Sequence, residues 1–175
     1  MMKTNTGFML NDAKSGIICH QVNCQGVMGS GIALAIRNKW PIVFEEYKKY
    51  VDKKLEFDGW SGGAPDADSL LGDFLPVQVD DNLWVGNLFS QCSYGRNPAA
   101  QRFGRYTSYD ALDICFRNVA TWATVMEGDE VVLREVHYPQ IGCGLGGGDW
   151  SIVSKIIDVR LDTIPHTYWE YKKTA

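Results

Sequence analysis

The chain has 175 residues, a length that suits one compact domain over 1–175 and leaves two full domains cramped. A content of 45% hydrophobic and 12% aromatic residues against 22% charged excludes wholesale disorder, and a net charge of −4 disfavours nucleic acid or anionic lipid as a partner. No apolar run approaches the roughly 18 residues of a membrane span, the first ten residues carry no secretory pattern, and five scattered cysteines without a CxxC pair fit reduced thiols in the cytoplasm.

Residues 15–22 (SGIICHQV) read as a buried strand that ends in the turn-prone NCQG, with His20 as its polar exception. From Ser30 the apolar positions Ile32, Leu34, Ala35 and Ile36 take helical spacing, and Pro41 stops this helix or opens the next, over 42–54. Residues 59–68 read as a surface loop. Two strands over 74–79 and 83–89, joined by Asp80-Asp81-Asn82, predict an antiparallel hairpin. A long irregular segment follows over 90–106, with Arg96, Arg102 and Arg105 and the aromatics Tyr94, Phe103 and Tyr106; it reads as a lid. Thr107 or Ser108 caps a helix through about Val125, ended by Gly128 and Asp129. A strand over 130–138, a helix from Asp149 or Ser151 to about Leu161 and a strand over 167–171 complete the chain. Strands alternating with helices, plus one hairpin, predict an α/β fold with a mixed sheet covered by helices on both faces. In such folds ligands sit at the carboxyl ends of the strands.

Two glycine loops fall at such ends. Residues 23–31 (NCQGVMGSG) hold Gly26, Gly29 and Gly31 between a strand and a helix start, where a backbone can approach an anion and the helix adds unsatisfied N–H groups. The spacing is neither the dinucleotide fingerprint nor a nucleoside-triphosphate loop, and taken alone it reads first as a tight strand-to-helix turn. Residues 139–150 (PQIGCGLGGGDW) place five glycines in seven positions at 142, 144, 146, 147 and 148, again between a strand and a helix. Nearly bare backbone can form an anion-binding nest, and two such loops at equivalent strand ends suit two phosphates.

The pattern HxxNCxGxxGxGIA at residues 20–33, followed by PQIGCGLGGGDW, resembles macrodomains, the ADP-ribose-binding fold. The likeness is to the branch of stand-alone ADP-ribose 1''-phosphate phosphatases and terminal ADP-ribose protein glycohydrolases. It implies a three-layer α/β/α sandwich with a mixed, mostly parallel sheet, and hydrolysis of ADP-ribose 1''-phosphate without a metal or cofactor. Alternatives in the same fold are a reader that binds ADP-ribose or ADP-ribosylated protein without turnover, and a hydrolase that removes ADP-ribose from macromolecules. The ligand residues it implies are Asn23 near the distal ribose, with Cys24, Gly26, Met28, Gly29, Ser30, Gly31 and Ile32 on the first loop. On the second they are Ile141, Gly142, Cys143, Gly144, Leu145 and Gly146. A lysine used by related glycohydrolases is missing from residues 88–91, their aspartate after GCGL is replaced by Gly146, and Gly7 is followed by Phe8 where an acidic residue commonly contacts adenine.

His20 and Asp149 are the candidates for acid–base chemistry. His20 matches a histidine of the phosphatase relatives, and an imidazole with a pKa of about 6.5 can donate a proton to a leaving sugar oxygen or activate water. On an apolar strand it can equally be a satisfied core residue. Asp149 can orient water at the distal ribose, or serve only as the cap of the helix that begins at Trp150. Cys24 and Cys143 lie beside helix N–H groups but read as small packing residues, and His20, His137 and His166 have no metal-ligand spacing.

Overall fold

The computed structural model of the protein describes residues 2–57, 67–95, 101 and 104–171. In chain order the elements are β1 (Lys3–Thr6), a single turn α1 (Met9–Asp12), β2 (Gly16–Asn23), α2 (Gly31–Lys39) and α3 (Pro41–Phe57). A 3₁₀ turn (Ala67–Leu70) leads to β3 (Phe74–Asp80), β4 (Leu83–Gln91), α4 (Tyr109–Ala123), β5 (Thr124–Glu127) and β6 (Glu130–Leu133), then β7 (Val136–Tyr138), α5 (Trp150–Arg160) and β8 (His166–Glu170). Six strands form the central sheet in the order β1-β8-β7-β2-β4-β3, with β3 antiparallel to β4 and every other pair parallel.

Seven of the eight residues of β2 are buried, because helices cover both of its faces. Its side chains alternate. Ile17 and Cys19 pack with Leu112, Phe116, Val153 and Ile157 of α4 and α5, whereas Val22 packs with Ile36, Val43 and Tyr47 of α2 and α3. The result is the three-layer sandwich with a mixed, mostly parallel sheet that the sequence predicts. α4 begins at Ser108, whose hydroxyl accepts from Ala111 N at 3.2 Å.

The structure departs from the sequence reading between residues 123 and 136. The helix expected through Val125 stops at Ala123, because Thr124–Glu127 pairs with Glu130–Leu133 around Gly128, whose φ is +65°. The single strand expected over 130–138 is therefore two: β6 belongs to this separate hairpin, and the chain re-enters the main sheet at Val136. No glycine or proline interrupts EVVLREVHY, so the break carries no local mark. β1 carries no hydrophobic period, because all four of its residues are exposed; its pairing with β8 creates it. Most of the loop at 59–68 lies outside the described residues, as do 96–100 and 102–103 of the lid expected at 90–106, whose first two residues, Ser90 and Gln91, belong to β4.

Leu112 is fully buried between α4 and the sheet. Leu112→Ala should cost about 2–5 kcal/mol through lost burial and the cavity left behind, measured by urea unfolding; a cost below about 1 kcal/mol would mean that this layer packs loosely.

Candidate functional site

The carboxyl ends of β2, β4, β7 and β8 open into a cleft of about 910 Å³. The first glycine loop contributes Asn23, Val27, Gly29, Ser30, Gly31 and Ile32, the second Ile141, Gly142, Gly144, Leu145 and Gly146. Gln21 and Gln91 from the strand ends also line it, with Tyr94, Tyr106, Tyr168, Trp169, Glu170 and Tyr171. Most of the expected ligand positions thus share one concavity. Four do not line it. Cys24 and Met28 are almost fully buried with the α2 and α3 side chains. Gly26 has a φ of +75°, and a Cβ there would stand 2.9 Å from Lys48. The Cys143 thiol donates to Ile141 O at 3.2 Å, and burial raises its pKa to about 11.

The glycines divide into two kinds. At Gly142, Gly146 and Gly148 an added Cβ would stand within 2.3–2.7 Å of Gln21 Oε1, Thr107 Oγ1 or the Gly142 carbonyl, so these positions let the loop lie against its own support. At Gly31 and Gly144 nothing lies within 4 Å, and at Gly29 the nearest atom is 3.7 Å away. All three line the cleft and are exposed, so their open side faces whatever the cleft binds.

The two helix starts also differ. Ser30 stands at the N-cap of α2 without a side-chain capping bond, and the first turn holds no acidic residue. With Ile32 and Ala33 lining the cleft, the positive end of α2 opens onto it. The start of α5 is already closed by Asp149, which accepts from Ser151 N at 2.8 Å. The Ser151 hydrogen bonds hold its carboxyl below the usual carboxylate range. Asp149 does not line the cleft; of its two readings the geometry supplies the cap.

His20 is fully buried and does not line the cleft either. Asn87 Nδ2 donates to Leu75 O at 3.1 Å, which turns its Oδ1 toward His20 Nε2 at 2.8 Å. Nε2 therefore carries the proton, and Nδ1 has no partner among the described residues. Burial lowers the pKa from 6.5 to about 4, with the Asn87 bond opposing the shift, so the ring is neutral at pH 7.

Asn23 shapes its own loop. Its Oδ1 accepts from Gln25 N at 2.9 Å and Val27 N at 3.3 Å, and its Nδ2 donates to Val27 O at 2.6 Å. Tyr47, buried on α3, accepts from Val27 N at 3.2 Å, and its hydroxyl lies 2.7 Å from Asn23 O and 2.8 Å from Asn23 Oδ1. Tyr47 falls within the helix expected over 42–54, where its spacing says nothing about its hydroxyl. Of the three arginines, Arg96 and Arg102 lie outside the described residues. Arg105 does not line the cleft; it stacks on the Tyr109 ring at 3.9 Å and donates to Thr107 O.

No family model matches the chain. Among curated proteins it is similar to an ADP-ribose 1''-phosphate phosphatase of Aspergillus clavatus, 27% identical over 89% of this chain and 88% of that one. The structure of a macrodomain protein from Streptomyces coelicolor superposes with a TM-score of 0.70 at 27% identity, covering 99% of this chain and 100% of that one. Thermosipho africanus DarTG in complex with ADP-ribose superposes at 0.67 and 17% identity, covering 99% of this chain and 43% of that one. An α/β sandwich with two glycine loops over one cleft defines the class, and the fold is that of a macrodomain.

Tyr47→Phe should cost about 1–3 kcal/mol, because Val27 N and Asn23 lose a buried partner, and should speed amide exchange selectively in residues 23–27; unchanged exchange there would show that Tyr47 only fills space. His20 titrates near 6.5 unfolded and near 4 folded, so its contribution is complete above pH 6.5 and lost as the pH falls to 4. His20→Phe should flatten the acid-side loss of stability by up to about 1.4 kcal/mol per pH unit. A slope equal to that of the wild type between pH 4.5 and 6.5 would mean that His20 is not held neutral.

Proposed function

We propose that this cleft binds ADP-ribose through its diphosphate and that the protein hydrolyses ADP-ribose 1''-phosphate, with water, to ADP-ribose and phosphate. The observation that carries the reading is the set of open glycines, Gly29, Gly31 and Gly144, on one cleft beside the uncapped start of α2. Backbone N–H groups and a helix dipole favour negative charge without a lysine or arginine, which suits a chain of net charge −4. The name and near full-length match of the Aspergillus relative support the substrate. Catalysis rests on positioning the phosphoryl group and stabilising its charge in the transition state. His20 and Asp149, proposed from the sequence as acid and base, act in this reading at one remove, through Asn87 and through the start of α5. The cysteine usage supports a cytoplasmic setting; no helix among the described residues is long and apolar enough to cross a membrane.

A second reading, a module that binds ADP-ribose or ADP-ribosylated protein without turnover, draws support from the placement of both acid–base candidates off the cleft. Glu170 is the only carboxylate among the described lining residues, and no histidine or lysine joins it.

ADP-ribose should raise the melting temperature by several degrees at about 100 times its Kd, where mass action contributes about 2.7 kcal/mol, and AMP should raise it less. No shift at millimolar ADP-ribose would remove the ligand. Gly144→Val should leave the wild-type melting temperature nearly unchanged, since Gly144 has no left-handed φ and open space around it, and should weaken ADP-ribose at least about tenfold. Unchanged affinity would place the ligand away from the second loop. Phosphate release from ADP-ribose 1''-phosphate separates the two readings.

A further inference from the structure

Gln21 and Gln91 line the cleft between the two loops. They belong to a hydrogen-bond chain whose direction is fixed at one end. Thr107 Oγ1 lies 2.7 Å from Gly142 O. A carbonyl only accepts, so the single hydroxyl proton of Thr107 goes there. Thr107 Oγ1 can then only accept, and it does so from Gln21 Nε2 at 3.1 Å. The second N–H of that Nε2 points to Gln91 at 2.6 Å, which requires Gln91 to present Oε1. Gln21 Oε1 also lies 3.3 Å from Thr107 Oγ1, so both ends of this carboxamide meet the hydroxyl, and it is the short contact with Gln91 that orients the pair: Gln91 engages Gln21 through Oε1, and its own Nε2 takes no part in the chain. Gln91 is half-buried at the end of β4, level with Asn23 across the strand pair.

We infer that Gln91 is a specificity residue, whose N–H donors recognise a phosphate monoester on the distal ribose of the ligand while Gln21 and Thr107 hold it in the donating rotation. The inference rests on the substrate proposed above, in which the diphosphate occupies the loop glycines and the distal end of the ligand meets the strand ends. A donor pair discriminates there because a bond to a phosphate oxygen is charge-assisted, about twice as strong as one to a neutral hydroxyl. A glutamine also recognises the monoester without giving the reaction a titrating group.

The test compares ADP-ribose with ADP-ribose 1''-phosphate on the full chain, reading kcat/KM for the second, or Kd where there is no turnover. Gln91→Met removes the donors without adding charge. It should leave the ADP-ribose Kd within about threefold, which also shows that the cleft is intact, and lower kcat/KM for the monoester at least about tenfold, mainly through KM. Gln91→Glu keeps the acceptor for Gln21 but replaces donors with an anion, and should lower it further. Gln21→Glu cannot donate to Gln91 and should force its amide to turn, reproducing the loss with Gln91 intact; in the double variant with Gln91→Met it should add less than about twofold. Gln91→Met within about twofold of wild type for the monoester, or an equal loss for both ligands, overturns the specificity role. A full additive loss in the double variant overturns the positioning role of Gln21. A wild type that binds neither ligand overturns the proposed function itself, a result distinct from either.

Discussion

The site depends on the parallel pairing of β2 with β7, Ile17 beside Val136 and Ile18 beside His137. Parallel strands end on the same side of a sheet, so the chain leaves both at one edge, and both departures are glycine loops. Burial of both strands fixes that register, since a slip by one residue would send each side chain of β2 to the other layer, exchanging the faces of His20 and Gln21 and packing the apolar residues beside them against the wrong helices. What the cleft offers, backbone N–H groups on both loops and an open helix start, follows from this edge more than from any single side chain.

Each loop is held by a different layer. The first is tied to α3 by the hydroxyl of Tyr47 and folded on itself by Asn23. The second rests on Thr107 and Gln21, and Tyr106 N and Thr107 N both donate to Gly146 O. This support explains why glycines are dense in residues 142–148. Three of them leave room for the loop's own scaffold, and Gly144 stands open on the cleft. A glycine cluster read from sequence as one anion nest is thus two devices, one that seats the loop and one that opens it.

The layered fold and the strand-end position of both loops were legible in the sequence, because long apolar runs and helical spacing are local signals. β1 was not, since an exposed edge strand such as KTNT has no hydrophobic period, and the β5–β6 hairpin was hidden because pairing rather than punctuation ends α4. At the site, the glycine positions were legible while the side-chain roles were not. Nothing near His20 in sequence says that Asn87, 67 residues away, will bury it as a neutral donor. Gln21, Gln91 and Thr107 are unremarkable in sequence and meet only through the strand order. Asp149 followed its local logic as a helix cap.

In the proposed function ADP-ribose lies between the two loops with its diphosphate against their backbone. Titration of isotope-labelled protein with ADP-ribose, followed through backbone amide resonances, tests it without any substitution. The largest saturable shifts should fall on residues 29–31 and 142–146, with those of the β5–β6 hairpin unmoved. Saturable binding that leaves both glycine loops unchanged, or moves only one of them, would contradict it.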